Sequence, residues 1–166
     1  MKQLKILGIF AMAALAIFVA TTQLTSAQSE SSEQGIVFVI NADQTIPNPS
    51  LGGSNPNGTG AFVINADGSE VGFTFTYSDL TGPPTAMHFH NAAAGESGGV
   101  AQKICGQGPQ AGLISSCPSG NSGTVAGVWQ IPSASLTNLL NGNLYVNIHT
   151  STNGGGEVRG QMSAAE

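Results

Sequence analysis

"TGAFVINADGSEVGFTFTYSDL", Thr59 to Leu80, decides the fold. In its second half Val71, Phe73, Phe75 and Tyr77 alternate with Gly72, Thr74, Thr76 and Ser78. That is the two-residue period of a strand with one buried face. Asp67-Gly68, between this run and "AFVIN", suits the tight turn of a hairpin.

Working outward, comparable short runs recur on both sides. "GIVFVINA" (Gly35 to Ala42), the stretch around His88 and His90, "GVAQKIC", "GTVAGVWQI" (Gly123 to Ile131), "NLYVNIHT" and "EVRGQM" all read as strands separated by Gly-, Pro- and Asn-rich turns. Trp129 is expected as a core anchor. One helix is expected in "SASLTNLLNG" after Pro132, capped by Ser133 or Ser135 and ended by Gly142. Its Leu136, Leu139 and Leu140 share a face that packs on the core. The fold class is therefore all-β, an antiparallel Greek-key β-sandwich or barrel of about eight strands with one short helix.

The chain opens with "MKQLKILGIFAMAALAIFVATTQLTSAQ". Lys2 and Lys5, an apolar run from Ile6 to Ala20 and small residues up to Ala27 make a secretory leader over 1–27 the favoured reading, with a short membrane anchor as its rival. A flexible segment over 28–34, a domain over 35–163 and a tail over 164–166 follow. Losing the leader removes two of four cations and none of nine acids, so two cations, Lys103 and Arg159, face nine acids at a formal charge of −7. So few cations argue against nucleic acid or anionic lipid as partners. No later segment is apolar enough for a membrane span. The expected location is secreted, periplasmic or cell-surface. There Cys105 and Cys117, bracketing "GQGPQAGLISS", are expected to form a disulfide worth about 2–3 kcal/mol.

Two of the three histidines stand as His88-x-His90 in "TAMHFHN". On a strand they share one face, roughly 7 Å apart at the backbone, while Met87 and Phe89 take the core side. In "NLYVNIHT" the inward set is Leu144, Val146 and Ile148, which leaves Tyr145, Asn147 and His149 on the opposite side. If Asn147 pairs near Arg159, the last hairpin gathers His149, Asn147, Glu157 and Arg159 on one polar face. Three histidines of matching parity point to a metal site, with ordinary surface histidines as the alternative. "GESGG" fits G-x-S-x-G around Ser97, yet no acid lies between Ser97 and His149 and no helix follows. A nucleophile elbow is therefore not expected.

"MHFHNAAAGESGGV", "LLNGNLYVNIHTSTNGGGEVRGQM" and "ADGSEVGFTFTYSDL" closely resemble the chordin-type (CHRD) domain over about Gly35 to Met162. The resemblance implies an immunoglobulin-like or superoxide-dismutase-like β-sandwich outside the cytoplasm. It also implies a role as a protein-interaction or surface module. By motif order His88, His90, His149 and Arg159 are in turn similar to copper ligands and the anion-guiding arginine of copper-zinc superoxide dismutases. With three histidines the chain lacks a bridging histidine and a zinc cluster. The expected ligand is thus one transition-metal ion, copper ahead of zinc or nickel, held by His88, His90 and His149. Glu157 is expected to orient the second nitrogen of His149, and Arg159 to attract anions. Metal affinity is expected to weaken as pH falls through the mid-6 range, about the ordinary histidine value. Dismutase-like redox turnover is the one enzymatic candidate.

Overall fold

A computed structural model describes residues 33–108 and 110–162. The leader over 1–27, most of the segment over 28–34 and the tail over 164–166 lie outside them. Eight strands and one helix follow in the order β1 (Gln34–Asn41), β2 (Asn57–Ile64), β3 (Glu70–Ser78), β4 (Pro84–Asn91), β5 (Val100–Gly106), β6 (Gly123–Gln130), α1 (Ser133–Leu140), β7 (Leu144–Thr150) and β8 (Val158–Met162). All strands pair antiparallel in one sheet of order β5-β4-β7-β8-β1-β2-β3-β6. β5 and β6 remain edges, so the sheet is curled and not closed into a barrel.

The curl comes at the β8–β1 seam, where Asn41 opposite Arg159 is the one registered pair. The alternating apolar positions of the two halves meet across the fold. Val71, Phe73, Phe75 and Tyr77 are all buried, as their period requires. Phe89 of β4 packs its ring 5.2 Å from Phe62, 5.2 Å from Phe73 and 5.4 Å from Trp129, three residues of the opposite half. Burying such aromatic rings dominates the energetics of a core of this size. At the seam the Phe38 ring lies over Gly60 and Gly160. A Cβ at Gly60 would come within 2.2 Å of that ring. Glycine there is a packing requirement.

The turn at Asp67-Gly68 forms as expected. Gly68 has φ 70° and donates its N–H to Asn65 O, while Ser69 N–H is held by Asp67 Oδ1. Two helix details differ from expectation. The N-cap of α1 is Pro132, with no side-chain cap bond from Ser133 or Ser135. Pro132 is extended, and its carbonyl accepts the first helical N–H, from Leu136; Ser135 is buried one turn in. Leu139 is fully buried, yet Leu140 is 41% exposed, so the packing stripe centres on Leu136 and Leu139. Gly142, at φ 72°, ends the helix by donating to Leu139 O.

Because Phe89 bridges the two halves, Phe89→Ala is expected to lower unfolding stability by about 3–5 kcal/mol. Urea denaturation checks this through the midpoint at unchanged slope.

Candidate metal centre

The same strand that sends Met87 and Phe89 into the core turns His88 and His90 to the other side. β4 pairs with β7 so that His88 lies opposite Asn147 and His90 opposite Tyr145, and His149 follows two residues along β7. β7 pairs with β8 through Asn147 opposite Arg159. One sheet face thus carries all three histidines. Ring centroids are 5.0 Å apart for His88 and His149, 5.6 Å for His88 and His90, and 6.1 Å for His90 and His149.

This face is polar but not open. His90, Tyr145, Asn147 and Arg159 are all buried. Three loops fold over the face, and each presents a backbone carbonyl to one imidazole. Gln107 O lies 3.0 Å from His88 Nε2, Gly98 O lies 2.9 Å from His90 Nδ1, and Gly154 O lies 3.0 Å from His149 Nδ1. A carbonyl only accepts, so each of these ring nitrogens carries the hydrogen. In the neutral rings the remaining nitrogens, His88 Nδ1, His90 Nε2 and His149 Nε2, are bare acceptors.

The three rings converge. One ligand atom from each histidine lies within 4.8 Å of the others. His88 Nδ1 and His149 Nε2 are 3.2 Å apart, and His90 Nε2 is buried with no hydrogen-bond partner among the described residues. An ion held at about 2.0–2.1 Å by imidazole nitrogens at tetrahedral angles separates them by about 3.4 Å. Facing lone pairs repel unless a proton or a cation lies between them. The donor set therefore fits a metal that accepts imidazole.

Each carbonyl has its own support. The loop bearing Gln107 is closed by the Cys105–Cys117 disulfide, and Lys103 Nζ donates to Gly108 O at 3.0 Å. The loop bearing Gly98 is gripped by Arg159, which donates from Nη1 to Glu96 O at 2.6 Å and from Nη2 to Ala93 O at 2.8 Å. Arg159 also lies 3.6 Å over the Tyr145 ring, which stacks on His90 at 5.0 Å. Tyr145 Oη accepts Gly98 N–H. Arg159 is thus a buried clamp with its donors engaged, and not the anion-attracting group expected. A Cβ at Gly98 would fall 1.8 Å from Asn91 O, so "GESGG" needs its glycine to bring that carbonyl to His90. Ser97 is exposed on the same loop.

Glu157 also departs from expectation, because its oxygens are not directed to His149. The carboxylate is fully buried and accepts from Thr81 N at 2.6 Å, from the Thr81 hydroxyl, from Thr150 Oγ1 at 2.6 Å and from Asn153 Nδ2 at 2.8 Å. Burial would raise its pKa, but the hydrogen bonds from Thr150, Thr81 and Asn153 outweigh burial and hold it below the ordinary value. Glu157 instead fixes the turn over 151–156 that carries Gly154. Asn147 lies against that turn, its amide over Gly156 and its Oδ1 buried with no donor among the described residues.

Gln107, Gly98 and Gly154 act through their main chains, so side-chain identity gave no signal for them. Lys103 and Tyr145 also went unassigned. The parity argument places Tyr145 on the histidine face, and that was the available clue.

The chain is an all-β domain with a clustered histidine triad. It belongs to the CHRD domain family, which it matches over residues 21–162. No curated protein and no solved structure matches it.

Burial first, and then the like charge of His88, lowers His149 from the ordinary 6.5 to about 4, against the Gly154 carbonyl. Burial also lowers His90, opposed by the Gly98 carbonyl. Protonation of the bare nitrogens of His90 and His149 is therefore displaced below the mid-6 range expected from ordinary histidine. In the metal-free protein the unfolded chain takes up the His149 proton first. Stability then falls as pH drops from 6.5 towards about 4. NMR titration of the ring protons checks this; a midpoint for His149 near 6.5 contradicts it. Glu157→Gln sets an amide N–H₂ against donors and is expected to cost about 1–3 kcal/mol in thermal or urea unfolding.

Proposed function

We propose that this chain is an extracytoplasmic metal-binding domain that takes one transition-metal ion, copper ahead of zinc or nickel, on His88 Nδ1, His90 Nε2 and His149 Nε2. The observation that carries this reading is the meeting of three imidazoles, with His88 Nδ1 and His149 Nε2 facing each other without a donor and His90 Nε2 buried with no partner among the described residues. A purely structural histidine cluster would pair its nitrogens with donors, because an unsatisfied buried acceptor costs about 1–3 kcal/mol. Imidazole donors suit copper, and the backbone carbonyls behind them give the anchored second nitrogen usual for metal-ligating histidine. The Cys105–Cys117 disulfide supports an oxidising compartment. Binding or delivery of the ion is the role that this arrangement serves. The engagement of Arg159 removes the anion-guiding part of a dismutase-like reading.

A second reading, a non-metal interaction module outside the cell, is favoured by a different surface. The outer face of the β1-β2-β3-β6 half exposes Val37, Val39, Val63 and Val128. On that reading the histidines are dispensable.

Calorimetric titration with Cu(II) of the mature domain and of a His88→Ala, His90→Ala, His149→Ala triple variant separates the two. The metal reading expects stoichiometric binding by the first and loss of at least about 100-fold in affinity, near 2.7 kcal/mol, by the second. Equal binding by two folded proteins overturns it.

A further inference from the structure

The charges around the triad bear on which ion it would hold, an inference that rests on the metal-binding reading above. Among the described residues no carboxylate joins the cluster of ligand atoms. Glu157, the buried acid nearby in sequence, is engaged by Thr81, Thr150 and Asn153. By contrast, the two cations among the described residues both flank the triad. Lys103 pairs with His88 across β4 and β5. A Cβ on Gly108 would lie 3.4 Å from Lys103 Cδ and 3.8 Å from His88 Nε2, so the lysine stem and the imidazole border the same glycine. Arg159 lies against Tyr145, and Tyr145 stacks on His90.

An ion at the triad therefore has three imidazole ligands, two neighbouring cations and, among the described residues, no carboxylate ligand. Repulsion from each cation scales with the charge of the ion, and the loss of hydration on partial burial grows faster than that. Both terms penalise a divalent ion more than a monovalent one. Three nitrogens also suffice for Cu(I), whereas Zn(II), although likewise d¹⁰, is held four-coordinate and Ni(II) and Cu(II) favour four or more ligands.

We infer that the His88–His90–His149 site selects copper in its monovalent state, Cu(I), over divalent copper, zinc and nickel. Lys103 and Arg159 supply the discrimination electrostatically, in addition to holding their loops.

The two roles of Lys103 pull in opposite directions and can be separated. A lost tether weakens every metal. A lost charge tightens all of them, and tightens a divalent ion by roughly the square of the factor for a monovalent one. The experiment measures Cu(I), anaerobically against a chromophoric chelator, and Zn(II), by competition, on the mature domain and on Lys103→Met, which keeps the stem. The inference expects the unaltered domain to hold Cu(I) more tightly than Zn(II). It expects Lys103→Met to shift the Zn(II)-to-Cu(I) affinity ratio towards zinc, with zinc gaining on the order of tenfold and Cu(I) about threefold at low salt. Zinc bound as tightly as Cu(I) by the unaltered domain overturns it. So does a variant whose ratio is unchanged or moves towards Cu(I). Absence of binding by both ions overturns the metal reading itself and the inference with it, whereas normal metal binding with an unmoved ratio removes the inference alone.

Discussion

Three hydrogen bonds between an imidazole N–H and a main-chain carbonyl set the character of this molecule. Gln107, Gly98 and Gly154 each hold one nitrogen of a histidine, and in doing so turn the other nitrogen, without its hydrogen, towards a common point. The geometry is specific because a carbonyl cannot donate, so the tautomer follows from the partner and not from pH or solvent. Remove these bonds and the rings are free to pair with one another or with water.

Each carbonyl is itself positioned, and by a different means. A disulfide and Lys103 fix the first loop, Arg159 and Tyr145 the second, and the Glu157–Thr150–Asn153 network the third. Beneath them lies the aromatic core, in which Phe89 joins the two halves of the sheet directly under His88 and His90. Fold and site thus share one strand, with alternate residues of β4 serving the core and the triad. This division explains why a domain with few charged residues buries a glutamate and an arginine. Both are fully hydrogen-bonded, as burial of charge demands, and both serve loops that face the histidines.

The strands were legible because their two-residue period is a local property. The alternation of Val71, Phe73, Phe75 and Tyr77 and the Asp67-Gly68 turn needed no tertiary information. The triad was legible for the same reason, since parity puts His88, His90 and His149 on one face and the Asn147–Arg159 register brings the strands together. What parity does not contain is the loop layer. Nothing in "GESGG" says that its fourth residue aims a carbonyl at His90, and nothing in "STNGGG" says that Gly154 does the same for His149. The role expected of Glu157 failed there, because sequence nearness to His149 put it on the turn and the turn directs it to Thr81. Arg159 lies on the face that its parity requires, but no local pattern marks the loop that covers it.

The central claim concerns proton positions, and long-range proton–nitrogen correlation spectra of the nitrogen-15-labelled, metal-free domain near pH 8 read them directly. The account requires His90 and His149 to be neutral with hydrogen on Nδ1 and a bare Nε2, and His88 to keep its hydrogen on Nε2. Finding His90 or His149 with hydrogen on Nε2, or His88 with a bare Nε2, would contradict it.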